Sequence, residues 1–221
     1  MATTKAQRIG IWIIAVFMAV GTIGSFVIIV LANQNSQTDQ ARYNELYSKY
    51  QEEQTAYTAK VDAQAQTLSK KYFTTLNKQS SQVGKFDAAS VKELGKKDLV
   101  KGTGETLTTD SSFTAYYIGW TPDGKIFDSS IDGDALKAPL DVVPGGVIKG
   151  WTEGVAGMKI GGIRELTIPS DLAYGETGSG DSIPANTPLK FIVMVIPTPE
   201  AIEQPQAPEE LITLYGRLYG N

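Results

Sequence analysis

The sequence predicts an α+β protein: an antiparallel β-sheet wrapped over one short helix, preceded by a transmembrane helix and a long helical stalk. Three observations carry this. Short β-branched or aromatic runs separated by Gly and Pro turns fill residues 90 to 198, with a single short helical window among them. Residues 36 to 80 contain neither Gly nor Pro. Ile9 to Ala32 runs 24 residues without a charge.

The last of these comes first along the chain. As a helix the run spans roughly 36 Å, enough for a hydrocarbon core of about 30 Å. Lys5 and Arg8 precede it, so residues 1–8 are expected in the cytoplasm, residues 9–32 form a single-pass anchor, and everything beyond lies on the extracytoplasmic side. The rival is a cleaved leader, because Val30-Leu31-Ala32 has the spacing a signal peptidase accepts. Its apolar region is longer than the 7–15 residues usual for leaders, which favours a retained anchor.

Residues 33–89 read as a stalk and connector. Tyr43, Tyr47, Tyr50, Tyr57, Val61, Leu68, Tyr72 and Leu76 recur at three- and four-residue steps, a narrow stripe on a polar helix. The stripe suits a coiled-coil homodimer seam, a surface for a client chain, or a spacer packed on its own domain. Gln54 and Gln64 interrupt the heptad. Gly84 ends this composition, and the globular domain is expected over residues 90–198. Strands are predicted at Phe113–Trp120, Ile126–Ser130, Leu140–Val143, Ile163–Pro169 and Leu189–Ile196, and the helix at Ile148–Ala156. Pro197, Pro199, Pro205 and Pro208 open a linker over residues 199–221. A short amphipathic helix follows Pro208, with fraying the expectation for a terminus.

Composition removes many functions. With 42% hydrophobic residues and 20% charged, the chain is not wholly disordered. It has no His and no Cys, so imidazole bases, thiolate nucleophiles, disulfides and Cys/His zinc sites are excluded. A net charge of -4 and a pI near 5.0 argue against a nucleic-acid partner. Two motifs are decoys. Gly119 to Lys125 has phosphate-loop spacing, but Ile126 replaces the metal-binding hydroxyl and a strand follows. Asp128 to Gly133 starts like a calcium loop whose twelfth position is Pro139. No cofactor and no metal are expected.

One set of strings is specific. Tyr116-Tyr117-Ile118-Gly119, Asp123-Gly124-Lys125-Ile126-Phe127-Asp128-Ser129-Ser130, Val147-Ile148-Lys149-Gly150-Trp151, Gly157-Met158-Lys159-Ile160-Gly161-Gly162, Leu172-Ala173-Tyr174-Gly175 and Ile183-Pro184 with Phe191 resemble, in order and spacing, the FKBP-type peptidyl-prolyl cis/trans isomerases. The resemblance covers about residues 92 to 197. It implies that fold, proline-containing polypeptides as partners, and a proline pocket. Trp151 would be the floor, with Tyr117, Phe127, Val147, Ile148, Ile183 and Phe191 around it and Leu140 where an aromatic wall is usual. The Ile148 N–H and the Tyr174 hydroxyl would hold substrate carbonyls, and Asp128, bound by Tyr117, would face the isomerising carbonyl. Amide rotation breaks no bond, so the lack of His and Cys costs this chemistry nothing.

The sequence also departs from the family pattern. Ile131-Asp132-Gly133-Asp134 stands where a basic partner for Asp128 is usual, leaving no obvious donor. The flap Gly178-Ser179-Gly180-Asp181-Ser182 is polar. Reduced activity and weak macrolide inhibitor binding are the expectation. Beside a membrane-anchored isomerase for extracytoplasmic folding stand two alternatives: a catalytically weak chaperone or client-binding module, and a tether for one fixed partner.

Overall fold

The computed structural model describes residues 36–220; the anchor read at Ile9–Ala32 lies outside them. Among the described residues no helix is long and apolar enough to cross a membrane. The chain divides into two compact units, Ala59–Ile202 and a second made of residues 36–58 with 203–220. One long helix, α1 (Ser36–Lys78), contributes to each.

In the larger unit the strands are β1 (Gly95–Val100), β2 (Phe113–Trp120), β3 (Ile126–Ser129), β4 (Ile131–Asp132), β5 (Ala135–Leu136), β6 (Leu140–Val142), β7 (Ile163–Ile168) and β8 (Leu189–Ile196). The main sheet runs β1-β7-β8-β2-β3, with β6 also on β2 and every pairing antiparallel. β4 and β5 form a separate hairpin. The five expected strands are present to within a residue. β1 and the β4–β5 hairpin are additions, the first too polar for the alternation rule and the second too short to show it.

β2 and β8 read as near-continuous apolar runs because the sheet is covered on both faces. Phe113, Ala115, Leu189, Phe191, Val193 and Val195 belong to one buried cluster, and Tyr116, Ile118, Trp120, Ile192, Met194 and Ile196 to another. The first face is covered by α2 (Lys149–Val155), the expected short helix, through Trp151 and Val155. Gly150 and Gly154 let it lie close: a Cβ at Gly150 would stand 2.2 Å from Ile168 Cγ2.

The second face is covered by the end of α1. Leu68, Tyr72, Phe73 and Leu76 pack there with Val83 and Phe86, and Leu76 is fully buried. Burying that leucine contributes about 1.5–3 kcal/mol. The Trp120 indole N–H donates to the Gly84 carbonyl at 3.1 Å, fastening the connector. Part of the apolar stripe is therefore occupied within the chain, as the spacer reading requires. β1 forms one edge of the sheet, exposes Lys96, Lys97 and Asp98, and carries a register shift between Asp98 and Val100.

The second unit holds the C-terminal helix α3 (Glu209–Tyr219), which packs instead of fraying. Leu211 and Leu214 are buried. Tyr43 stacks on Tyr47 at 5.8 Å and meets the Tyr219 ring edge-on at 5.7 Å. The Arg42 guanidinium donates to both carboxylate oxygens of Glu210, at 3.0 and 2.9 Å. An isolated helix of this length is marginal in water, so these contacts hold it.

Candidate active site

The site begins with a glycine opposite a phenylalanine. Gly119 on β2 pairs with Phe191 on β8, and partners in an antiparallel ladder share a face. A Cβ on Gly119 would stand 2.6 Å from Phe191 Cε1 and 2.8 Å from Phe127 Cζ. Without it, the two rings close over the strand and meet edge-to-face at 5.5 Å. Phe191 in turn meets Trp151 at 5.4 Å and 89°, and Trp151 meets Tyr117 at 5.4 Å and 83°. Edge-to-face packing of this kind adds to area burial and fixes ring orientation. Trp151, from α2, is 3% exposed.

Asp128 reaches this face through a bulge. Gly119 pairs with Asp128 but Trp120 pairs with Ile126, so Phe127 is the extra residue. A one-residue slip reverses side-chain direction. It brings Asp128 to the side of the sheet where Tyr117 stands, and the Tyr117 hydroxyl donates to Asp128 Oδ2. The Ser129 N–H donates to Oδ1 at 2.8 Å. Burial, and then the hydrogen bond to the Asp128 carboxylate, push the Tyr117 phenol well above its ordinary value. It remains a proton donor throughout the physiological range.

The remaining rim comes from loops. Tyr174 is 37% exposed and lies within a turn closed by the Gly175 N–H donating to Ser170 O at 2.8 Å. Ile148 caps α2, its carbonyl accepting from the Trp151 and Thr152 N–H groups at 2.9 and 3.3 Å. Its own N–H has no acceptor among the described residues. Val147 and Ile148 are half-buried against the aromatic cluster, and Ile183 is buried in it. Ile183 ends the flap, whose Ser179 and Ile183 backbones exchange hydrogen bonds at 2.8 and 3.1 Å.

Leu140 is the outlier among the residues read from the sequence. It pairs with Ala115 and so stands on the same side of the sheet as the aromatic cluster, but it is 37% exposed and outside that cluster. The sequence reading also missed a residue. Asp128 does have a cationic neighbour: Lys137 Nζ lies 3.7 Å from Oδ1. Asp132-Gly133 between Ile131 and Leu136 was the signal, since such a turn folds the chain back on itself. A separate cleft of about 460 Å³, with Phe86, Lys92, Thr167 and Lys190 in its wall, lies elsewhere in this unit and shares no residue with the group.

The family model for FKBP-type peptidyl-prolyl cis-trans isomerases matches residues 103–196. An FK506-binding protein of Neisseria meningitidis serogroup A is 44% identical over 101 residues, 45% of this chain and 90% of that protein. The chain belongs to the FKBP-type isomerase family. A probable FKBP-type peptidyl-prolyl cis-trans isomerase of Haemophilus influenzae is 43% identical over 96 residues, 43% of this isomerase and 38% of its relative. A crystal structure of a peptidyl-prolyl cis-trans isomerase from Pseudomonas syringae pv. tomato shares 32% identity, covering 63% of this isomerase and 96% of that chain, with a TM-score of 0.43. The aromatic cluster, the phenol-bound carboxylate and the Ile148 N–H all lie within the matched span.

Proposed function

We propose that this isomerase turns X-Pro bonds of extracytoplasmic polypeptides in the well floored by Trp151, held to the membrane by Ile9–Ala32. The observation that carries the site is the perpendicular Tyr117–Trp151–Phe191 arrangement beside the Tyr117–Asp128 hydrogen bond. The proline ring seats on Trp151 between Tyr117, Phe127 and Phe191, with Val147, Ile148 and Ile183 closing the sides and Leu140 at the outer edge. The Ile148 N–H and Tyr174 hydroxyl fix one side of the bond by its carbonyls, so that only the other side turns.

The chemistry asked of these groups is small. Planar amides are held by a barrier of ~18–20 kcal/mol that comes from resonance, and uncatalysed X-Pro exchange takes tens to hundreds of seconds. A twisted amide has lost its charge separation, so a dry aromatic well favours it over the planar form that water solvates. The Asp128 carboxylate, held by Tyr117 and Ser129, faces the carbonyl that rotates and disfavours the planar form, in which that oxygen is most negative.

Exchange NMR on a short X-Pro peptide tests this with the full chain in detergent. Wild type should accelerate exchange, Asp128→Ala and Tyr174→Phe should lose on the order of tenfold in kcat/KM, and a macrolide should compete, weakly because of the polar flap. Folded wild type without acceleration overturns the site reading. Protease protection of the C-terminal region in sealed membrane vesicles with the cytoplasmic face outward checks the topology, and cleavage from that face overturns it. The Lys137–Asp128 contact removes one ground for a catalytically weak binding module, since the carboxylate is not left without a cation.

A further inference from the structure

We infer that α1 positions the candidate catalytic carboxylate, through Ser69 and Lys137 acting as positioning residues. This rests on the role assigned above to Asp128. Ser69 stands beside Leu68 on the part of α1 that covers the sheet and is 8% exposed, a hydroxyl in an apolar contact. Its Oγ accepts the Leu136 N–H at 2.8 Å. Buried polar groups need partners, and here each satisfies the other.

The β4–β5 hairpin needs such an anchor. With two residues a side, it has too little ladder to hold itself. Leu136 is 7% exposed in the same cluster as Leu76, which adds an apolar fastening beside the polar one. Lys137 is the next residue, so the anchor sets where its side chain starts. The Lys137 N–H donates to Ser130 O at 2.9 Å, the Ser130 N–H donates to Tyr117 O at 2.8 Å, and the Tyr117 N–H donates to Ser130 Oγ at 2.9 Å. From that base Lys137 Nζ reaches 3.7 Å from Asp128 Oδ1, while Tyr117 holds Oδ2. The carboxylate's cationic partner therefore hangs from the hairpin, and the hairpin hangs from the helix.

The ion pair is about half exposed on each side, 52% and 48%, so its direct effect is modest and sensitive to salt. Lys137→Met and Ser69→Ala in the full chain should each lower kcat/KM for an X-Pro peptide roughly threefold. Because Ser69 acts through Lys137, the double variant should fall no lower than Lys137→Met alone. Ser69→Thr and Lys137→Arg should recover most of the loss, and the gap between wild type and Lys137→Met should narrow at about 0.5 M salt. A general loss of stability would produce neither the non-additivity nor the salt effect.

Two controls separate this inference from the reading beneath it. If Asp128→Ala shows its expected loss while Ser69→Ala and Lys137→Met keep wild-type activity, or if their losses add in full, the positioning role is wrong. If Asp128→Ala keeps wild-type activity, the site reading itself fails and the inference falls with it. Should Ser69→Ala not fold, Ser69→Cys, which keeps the volume and weakens the acceptor, replaces it with the same expectations.

Discussion

Gly119→Ala asks whether the pocket walls depend on one missing methyl group. The new Cβ would lie 2.6 Å from Phe191 Cε1 and 2.8 Å from Phe127 Cζ. Carbon pairs settle at about 3.5–4.0 Å, so the rings must withdraw by about 1 Å. Neither is the loose end of a flexible chain. Phe191 is 4% exposed and backs onto Trp151 at 5.4 Å. Overpacking of this size costs about 1–3 kcal/mol. Removing a glycine from the unfolded chain returns about 0.4–1 kcal/mol, leaving a net destabilisation of about 1–2 kcal/mol. Urea unfolding followed by tryptophan fluorescence should show a lower midpoint at unchanged slope. In exchange NMR kcat/KM should drop on the order of tenfold, because the displaced walls misplace the proline ring. Phe191→Leu in the same chain should restore part of the stability by making room. Equal or greater stability with unchanged kcat/KM for Gly119→Ala would refute the packing argument.

Three further perturbations test other parts of the molecule. Arg164 donates to Asp98 Oδ1 at 2.6 Å and to the Gly154 carbonyl at 2.8 Å, and this hydrogen bond holds the Asp98 carboxyl below its ordinary value of 3.8. A depressed folded value means a contribution complete above about pH 4 and lost as pH falls through the folded value. Asp98→Asn should cost about 1 kcal/mol at pH 7 after allowance for solvent screening, and its unfolding midpoint should decline less than wild type's between pH 5 and 3. Tyr116 buries a hydroxyl with no hydrogen-bond partner among the described residues, and burial pushes its phenol up to about 12. Tyr116→Phe should therefore leave stability unchanged or raise it by up to about 1 kcal/mol at pH 7; a loss above that size would reveal a partner for the hydroxyl. Leu214→Asp should release α3 and expose residues after Pro205 to limited proteolysis while X-Pro exchange is retained.

Much of the larger unit was legible because its strands are apolar on both faces and the residues of its aromatic cluster come in ordered strings. Phe113–Trp120 and Leu189–Ile196 match to the residue. What escaped notice was decided by tertiary packing. Gly95-Lys-Lys-Asp-Leu-Val carries no strand pattern, and becomes one only because β7 offers it a ladder. Leu68, Tyr72 and Leu76 announce an apolar helix face without naming the surface it covers. Lys137 stands nine positions beyond Asp128 and reaches it through a hairpin whose turn was visible but whose anchor, Ser69, lies far upstream in sequence. Leu140 was read as standing where an aromatic wall is usual, and its exposure follows from lying on a three-residue strand at the margin of the sheet.

The composition of β1 bears on how such an enzyme survives its own substrates. Catalysts of proline isomerisation meet chains that are still unfolded, and these chains carry unpaired backbone able to zip onto any open ladder. β1 presents that hazard on its outer side, yet places Lys96, Lys97 and Asp98 along it and breaks its register before Val100. Charge and irregularity make an edge a poor template for a further strand. The edge thus offers an extended chain no ready ladder on which a brief visitor could become a permanent one.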